Sequence, residues 1–349
     1  MEAILRDFHL QLDDLKKLIE FYELEKKLLQ DFENSNSVND LILNEISQKL
    51  KDFRISKLTY NYNSIIISLY GSFERFIENC IISYIEEVNG IIEEYKKLPE
   101  VITKNHLLLS LSLINKIEQT KYNGPLRKEI IIKNLHTCIN TIDNYQLNKE
   151  AFAQHTANFR IQVIDDNFKQ TGVYELSKNI LKNEDFKSYL VNSKGVAVES
   201  TDLSINENLQ PINELAELRN FVAHGIENDI MDNQILLDYV EFFKYYSKSL
   251  IDVLNEDLLY KKVQNQGLKL GNITDVFKDG NIVCFHTNGY KISKGQRIIG
   301  VNSKNIKSSY IKSIRVNDED KEFVDGENIE IGIEIGDNFK KNFDLYVLK

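Results

Sequence analysis

The hydrophobic pattern of this 349-residue chain changes its period once, close to Gly267. Before that point apolar residues recur every three or four residues, as in amphipathic helices, and after it they alternate, as in strands. Nine of the 15 glycines follow residue 266, where turns between strands would need them. The formal charge changes as well, from −11 over residues 1–264 to +1 over residues 265–349. We therefore predict a mainly α chain that ends in a β domain at 265–349.

Two amphipathic helices, Phe8–Leu29 and Val38–Leu50, are predicted around the polar turn Asn34–Ser37, and they define an N-terminal helical hairpin at residues 1–56. A second helical domain is predicted over residues 57–264. It begins with one long helix or two between Leu58 and Lys97, where only Gly71 and Gly90 interrupt the pattern. This stretch carries an apolar stripe typical of a central packed helix, made by Leu69, Phe73, Phe76, Ile77, Cys80, Ile81 and Tyr84.

The rest of the second domain is predicted as shorter helices. Four or five of them lie between Leu107 and Leu190, and the polar stretch Val191–Leu209 is predicted as a loop. A helix at Ile212–His224 then follows Pro211, a residue suited to a helix start because its missing N–H would be unpaired there. A last helix is predicted from Asp229 to Tyr260.

Six short alternating segments follow Gly267, separated by turn residues such as Asn288–Gly289 and Asp325–Gly326. Six strands in so short a stretch are typical of a small closed barrel. The predicted strands are Ile273–Phe277, Ile282–His286, Arg297–Val301, Ile311–Val316, Ile329–Ile335 and Asp344–Leu348.

Composition excludes several classes of protein. A formal charge of −10 argues against binding of nucleic acid through one basic face that covers the molecule, although a local basic pocket stays possible. Three distant cysteines and no HxxxH or HxH pair predict no disulfide framework, no metal site and no cofactor.

No phosphate-binding loop or GxSxG motif is present. No leader or span-length apolar stretch occurs, so we expect a cytoplasmic protein without membrane contact.

The segment Glu217–Gly225 stands out because its charged residues lie within an apolar pattern. At about 100° per residue, Arg219 falls inside the apolar stripe of its helix, where a guanidinium needs an anionic or hydrogen-bonding partner. Asn220, His224 and Glu217 cluster on the adjoining flank. Gly225 is the residue type that most often ends a helix, which places His224 in the last turn, where the helix dipole favours an imidazolium.

A histidine that moves protons beside an arginine that holds phosphate oxygens suits phosphodiester cleavage. No metal is required if the nucleophile is the 2′-OH of the substrate, which would restrict the reaction to RNA. The spacing by itself is weak, however, because a histidine at a helix end often serves only as a cap, and on spacing alone the structural interpretation is favoured. The longer pattern RNFVAHG, on a helix that starts at Pro211, shifts this balance towards function.

Residues 219–225 resemble the R-x4-6-H motif of the HEPN superfamily, including the asparagine that commonly follows the arginine. Leu69–Ile77 resembles the "aromatic-x-x-(F/L)-E-x-F" helix of the RiboL-PSP type of HEPN domain, and Phe152–Arg160 is similar to a middle segment of that type. The resemblance covers about Leu58–Tyr260. It implies an all-α bundle that forms a homodimer in which two motifs make one cleft.

Carried over by position, the resemblance implies that Arg219 stabilises phosphate, that His224 acts as general base or acid, and that Asn220 orients or contacts the phosphate. Glu74 is a weaker candidate from the neighbouring helix and is equally consistent with a structural ion pair. Glu217 is a further supporting candidate because it shares the flank of Asn220 and His224.

The implied activity is that of a metal-independent endoribonuclease acting on tRNA-like RNA or mRNA, as in toxins, abortive infection and other antiviral defence against phage. An antitoxin or ATPase partner is consistent with such systems. The motif also survives in HEPN proteins that only bind. The alternative is therefore a non-catalytic RNA- or protein-binding module of the translation or defence machinery.

The tail carries a second resemblance, to the β-barrel second domain of translational GTPases. Gly271–Phe277 is similar to the segment that opens that barrel, and Gly289–Ile298 to the segment that crosses it, although Gln296 replaces the usual acidic residue. Lys312–Ile314 and Asp325–Ile333 resemble two of its later pieces. This resemblance implies docking to tRNA, the ribosome or another protein, and a barrel that only stabilises or spaces the dimer is equally consistent with the sequence.

Overall fold

The computed structural model describes residues 1–34, 41–118, 126–140, 144–195, 204–226, 229–303 and 305–348. Two compact units are present: the first contains residues 1–86 and 98–254, and the second contains residues 87–97 and 255–349. The chain is 62% helical, with an antiparallel sheet near its C-terminus. The prediction of a mainly α fold followed by a small β domain is confirmed.

Two long helices open the chain: α1 spans Glu2–Asn34 and α2 spans Leu41–Ile91. The sequence between Leu41 and Tyr70 contains no glycine or proline to stop a helix, and α2 therefore passes the predicted helix end at Leu50 without a break. The proposed domain boundary between residues 56 and 57 accordingly falls inside α2. Most of the predicted turn at Asn34–Ser37 lies outside the described residues.

The middle of the first unit is built from shorter helices. The predicted loop at 191–209 is wrong in part, because helix α8 extends to Lys194 and a short helix, α9, follows Ser204. The bounds are α3 Glu100–Lys116, α4 Lys128–Ile139, α5 Lys149–Phe152, α6 Ile161–Gln170, α7 Leu176–Lys182, α8 Glu184–Lys194, α9 Ile205–Asn208, α10 Gln210–His224 and α11 Asn233–Gln266. A 3₁₀ turn occupies Tyr95–Lys97, after α2.

The predicted apolar stripe of α2 forms the centre of the first unit, since all seven of its residues are buried. Phe73 packs against Phe243 of α11, with ring centres 4.7 Å apart, and Phe76 stacks on Phe8 of α1 at 4.5 Å. Helix α2 therefore has apolar neighbours on both sides. No helix in the described part of the chain is long and apolar enough to cross a membrane.

The second unit contains the curled antiparallel sheet, which forms a half-barrel. Its strand order is β1-β10-β5-β6-β9-β3-β2, with β7 paired to β6, and β4 and β8 form a separate pair. The strands are β1 Gly267–Asn272, β2 Asp275–Phe277, β3 Ile282–Asn288, β4 Ile292–Ser293, β5 Arg297–Val301, β6 Ile306–Val316, β7 Glu319–Lys321, β8 Phe323–Val324, β9 Glu327–Ile335 and β10 Asp344–Leu348.

The alternating residues of these strands point to one apolar core, which includes Val283, Phe285, Ile298, Ile333 and Leu345. Two predicted strands, Arg297–Val301 and Asp344–Leu348, have the observed bounds. The predicted strand at Ile273–Phe277 overlaps only β2, while β1 lies ahead of it and ends at Asn272. A bulge interrupts β1 between Lys269 and Gly271.

Candidate functional site

Helix α10 carries the R-x4-H segment, and specific residues determine where it begins and where it ends. Pro211 lies in its first turn, and Gly225 follows its last residue, His224, in the left-handed conformation with φ 62°. The N–H of Ile226 then bonds to the carbonyl of Phe221 at 2.9 Å, which completes the cap. One face of α10 is buried through Ile212, Leu215, Ala216 and Leu218. This burial fixes the orientation of the polar residues between them.

Arg219 is half-buried beside this apolar face, as its position in the helical pattern predicts. Its guanidinium carbon lies 5.4 Å from the centre of the Tyr70 ring on α2, an arrangement in which the ring face attracts the cation. Among the residues that the structure describes, no carboxylate pairs with Arg219 within 4.0 Å. The guanidinium therefore keeps hydrogen-bond donors available for an anion.

Tyr70 connects the arginine to a second chain segment. Its hydroxyl accepts a hydrogen bond from the backbone N–H of Phe159 at 3.0 Å. Burial raises the pKa of Tyr70 to about 12, so the ring stays neutral at physiological pH. A neutral, buried tyrosine thus lies under Arg219 and also holds the segment that contains Phe159.

That segment, residues 155–161, runs alongside α10, and we call it the strap. Polar contacts join the two, three of them through side chains of α10. Asn213 accepts from the N–H of Ile161 at 3.0 Å, Arg160 pairs with Glu217 at 3.0 Å, and Asn158 donates to Asn220 at 2.5 Å. The three residues of α10 lie four and three positions apart and so share one helix face. The strap therefore fixes the flank on which the sequence places Glu217 and Asn220.

Asn220 has its side-chain oxygen engaged by two donors. Asn158 Nδ2 reaches Asn220 Oδ1 at 2.5 Å, and Arg219 Nη1 reaches the same atom at 3.4 Å. Because both neighbours donate, the oxygen must face them and the amide N–H₂ must face away. Arg219 and Asn220 thus present donors from adjacent positions, a pattern that suits phosphate oxygens.

His224 lies at the exposed end of α10. In the described part of the chain its imidazole makes no hydrogen bond and no ion pair. It follows Asn220 by four residues and so shares that flank, whereas Arg219 lies about 140° away around the helix. The structure therefore brings together Arg219, Asn220, Tyr70 and Asn158 and leaves His224 accessible at one end of this group.

The two supporting candidates have separate contacts. Glu217 is exposed and pairs with Arg160 of the strap. Glu74 lies 3.4 Å from the Nε2 atom of His155, and Glu78, one turn further along α2, lies 2.8 Å from the same atom. The sequence gave no signal for the contacts of Glu78 or Asn158, because each lies far along the chain from its partner: Asn158 is 62 residues from Asn220, and Glu78 is 77 residues from His155.

Comparison with known proteins identifies the family. The profile of the RiboL-PSP-HEPN family matches residues 22–256. The chain belongs to this family, which suggests a role in RNA cleavage or RNA binding.

The other comparisons add little. The comparison with curated proteins gives no match. Among solved structures, the chain is similar to the C-terminal domain of a putative U32 peptidase from Geobacillus thermoleovorans, with 11% identity and a TM-score of 0.19. That similarity covers 23% of this chain and 86% of the other chain, and so low a TM-score carries no structural inference. The likeness of the β domain to translational GTPases stays a prediction.

Proposed function

We propose that this chain is a metal-independent endoribonuclease whose site is formed by Arg219, Asn220 and His224. The observation that carries the proposal is the half-buried Arg219 guanidinium, held over Tyr70 without a carboxylate partner among the described residues and next to the outward-facing amide of Asn220. A fixed cation with donors directed outwards suits the non-bridging oxygens of a phosphodiester.

In the proposed reaction the ribose 2′-oxygen attacks the adjacent phosphorus. The bond between the 2′-oxygen and phosphorus forms, the bond between phosphorus and the 5′-oxygen breaks, and the products are a 2′,3′-cyclic phosphate and a free 5′-OH. One imidazole takes the proton of the 2′-OH, and a proton is delivered to the leaving 5′-oxygen. Arg219 and Asn220 stabilise the charge that develops on the phosphate.

A homodimer suits this reaction because one chain supplies only one His224. On α10 the Arg219 and His224 side chains point about 140° apart, so a second copy that faces the first would bring one arginine and two imidazoles to a single phosphate. We therefore propose a composite cleft. Light scattering at micromolar concentration tests it, and a species of 40.6 kDa, the mass of one chain, would contradict it.

Incubation of the purified chain with total tRNA and structured RNA in EDTA tests the activity. We expect the wild type to cut and the variants Arg219→Ala and His224→Ala to be inactive while still folded. His136→Ala is the matched control, because His136 also lies exposed in the last turn of a helix, α4, and this variant should cut normally.

The outcomes separate the two proposals for this site. Equal cutting by wild type, Arg219→Ala and His224→Ala would contradict the nuclease proposal. Binding without cutting, weakened by Arg219→Ala, would instead support the alternative of a non-catalytic RNA-binding module. Toxicity on expression, lost in His224→Ala, would favour the further proposal of a toxin or anti-phage effector, with an antitoxin or ATPase as the restraining partner.

A further inference from the structure

A second group of ionisable side chains lies where His155 of the strap contacts α2. Glu74 and Glu78 stand on successive turns of α2, and the Nε2 atom of His155 lies 3.4 Å and 2.8 Å from their carboxylate oxygens. The three ligand atoms all lie within 4.8 Å of one another. The imidazole is nine-tenths buried, with 9% of its side chain exposed, and its ring packs on Phe159 at 4.2 Å.

The contacts of His155 define where its protons are. Its Nδ1 atom lies 2.9 Å from the carbonyl oxygen of Ala157. A carbonyl can only accept, so Nδ1 carries the hydrogen. In a neutral ring the Nε2 atom then carries a lone pair, and this lone pair points at the two carboxylates. Three electron-rich atoms therefore converge on one point, an arrangement that suits a divalent cation bound among them.

We propose that Glu74, Glu78 and His155 bind a divalent transition-metal ion. Ligand atoms lie roughly 2.0–2.2 Å from such an ion, so two neighbouring ligands stand roughly 2.9–3.5 Å apart. The observed separations of 2.8 Å and 3.4 Å are close to this range. The Nδ1–H bond to Ala157 is also the outer contact that orients a histidine ligand towards a metal.

The donor set indicates the kind of ion. One imidazole nitrogen and two carboxylate oxygens suit Zn²⁺ or Mn²⁺, whereas Mg²⁺ prefers oxygen ligands and bound water. The ion would join the strap to α2 one turn from Tyr70, and its role is to stabilise this part of the fold. It takes no part in the proposed cleavage of RNA, so chelation should lower the unfolding temperature while cleavage below that temperature persists.

Metal titration of the full chain tests the site without reference to cleavage. After dialysis against EDTA and removal of the chelator, Zn²⁺ and Mn²⁺ are titrated by calorimetry, and thermal unfolding is followed at each concentration. Saturable binding should raise the unfolding temperature, and Mg²⁺ should bind weakest. The variant Glu78→Gln, which keeps the shape of the side chain, should weaken binding at least tenfold, because loss of even an outer partner of a metal ligand typically costs about tenfold or more.

The matched control is Glu86→Gln, which removes a carboxylate two turns further along α2 that pairs with Lys149 at 2.7 Å. It should bind the metal as the wild type does.

Equal affinity of wild type and Glu78→Gln, or no saturable binding, would overturn the proposal. A nitrogen NMR spectrum in which Nε2 of His155 stays protonated with Zn²⁺ added would also overturn it, because a protonated nitrogen has no lone pair for the metal. A chain that binds metal but cuts no RNA would contradict only the nuclease.

Discussion

The guanidinium carbon of Arg219 lies 5.4 Å from the ring centre of Tyr70, whose hydroxyl also accepts the backbone N–H of Phe159. One side chain of α2 thus supports the arginine of α10 through its ring face and the strap through its oxygen. The contact of the hydroxyl can be removed while that of the ring is kept, and the consequences of losing one or both contacts differ.

Replacing Tyr70 by Phe removes only the hydroxyl. The buried N–H of Phe159 then has no acceptor from Tyr70, which should lower the free energy of unfolding by about 1–3 kcal/mol, as measured by urea denaturation. The ring remains under Arg219, so RNA cleavage should persist below the unfolding temperature. Tyr70→Leu removes both contacts and should reduce cleavage as well. Equal cleavage by Tyr70→Leu and wild type would contradict a role for the ring.

Replacing Arg219 by Lys keeps the charge and removes the planar fork of donors. The loss of one charge-assisted hydrogen bond, about 1.5–3 kcal/mol, corresponds to a roughly tenfold to hundredfold lower cleavage rate. RNA affinity at low salt should fall less than the rate, because the charge remains. Single-turnover cleavage and filter binding measure the two quantities. A lysine variant as fast as wild type would show that charge alone suffices.

Replacing Asn158 by Ala frees the oxygen of Asn220 from the donor that lies 2.5 Å away. We expect the free energy of unfolding to fall by about 1 kcal/mol and cleavage to fall about tenfold, because the amide of Asn220 is then oriented only by the longer contact with Arg219 at 3.4 Å. Gln162→Ala is the control, since Gln162 is exposed and its side chain bonds to Asp166 of the same helix, α6. Its cleavage should match that of the wild type, and a normal rate in Asn158→Ala would leave the strap with a structural role alone.

The buried imidazole of His106 should make the free energy of unfolding depend on pH. It is buried, its Nε2 accepts the N–H of Asn148 at 3.0 Å, and burial lowers the pKa of its imidazole to about 4. The unfolded chain binds a proton below about pH 6.5 and the folded chain does not, so stability is full above that pH and falls as the pH drops towards 4.

Between pH 7 and pH 5 the loss should be about 2 kcal/mol. Urea unfolding at the two pH values measures it, and His106→Gln should show a smaller difference between them. If the two proteins lose the same free energy, His106 does not carry the effect.

Two glycines of the second unit allow a steric test. A Cβ on Gly280, whose φ is +98°, would lie 2.5 Å from the carbonyl oxygen of Phe339, whereas a Cβ on Gly289, with φ +82°, would meet nothing within 4 Å. Gly280→Ala should therefore cost about 3 kcal/mol or more, from strain and from overlap with backbone, and Gly289→Ala about 1–2 kcal/mol, from strain alone. Urea unfolding compares them, and equal losses would contradict the steric argument.

Local features of the site were predictable from the sequence. The period of the apolar residues places Arg219 beside the buried face of α10, and Gly225 ends that helix after His224 as its residue type predicts. The stripe from Leu69 to Tyr84 is buried for the same reason. Each of these properties depends on residues within a few turns of one helix, where spacing determines which face is buried.

Contacts between distant segments were not predictable in this way. The resemblance of Phe152–Arg160 to a family segment indicated that the strap matters. It did not predict that Asn158 pairs with Asn220, or that Glu74, Glu78 and His155 converge. Such contacts depend on how α2, α10 and the strap pack, and side chains 62 or more residues apart share no local period.

The side chains of Tyr70, Glu74 and Glu78 follow one another at intervals of four residues along α2. Each interval is about one turn, so all three face the strap only while the number of residues between them is unchanged. A single inserted or deleted residue in this stretch would rotate one end against the other by about 100°, moving either the tyrosine or the carboxylates off their partners. The stretch from residue 70 to residue 78 is therefore constrained in length as well as in composition, whereas exposed positions such as Arg75 remain open to substitution.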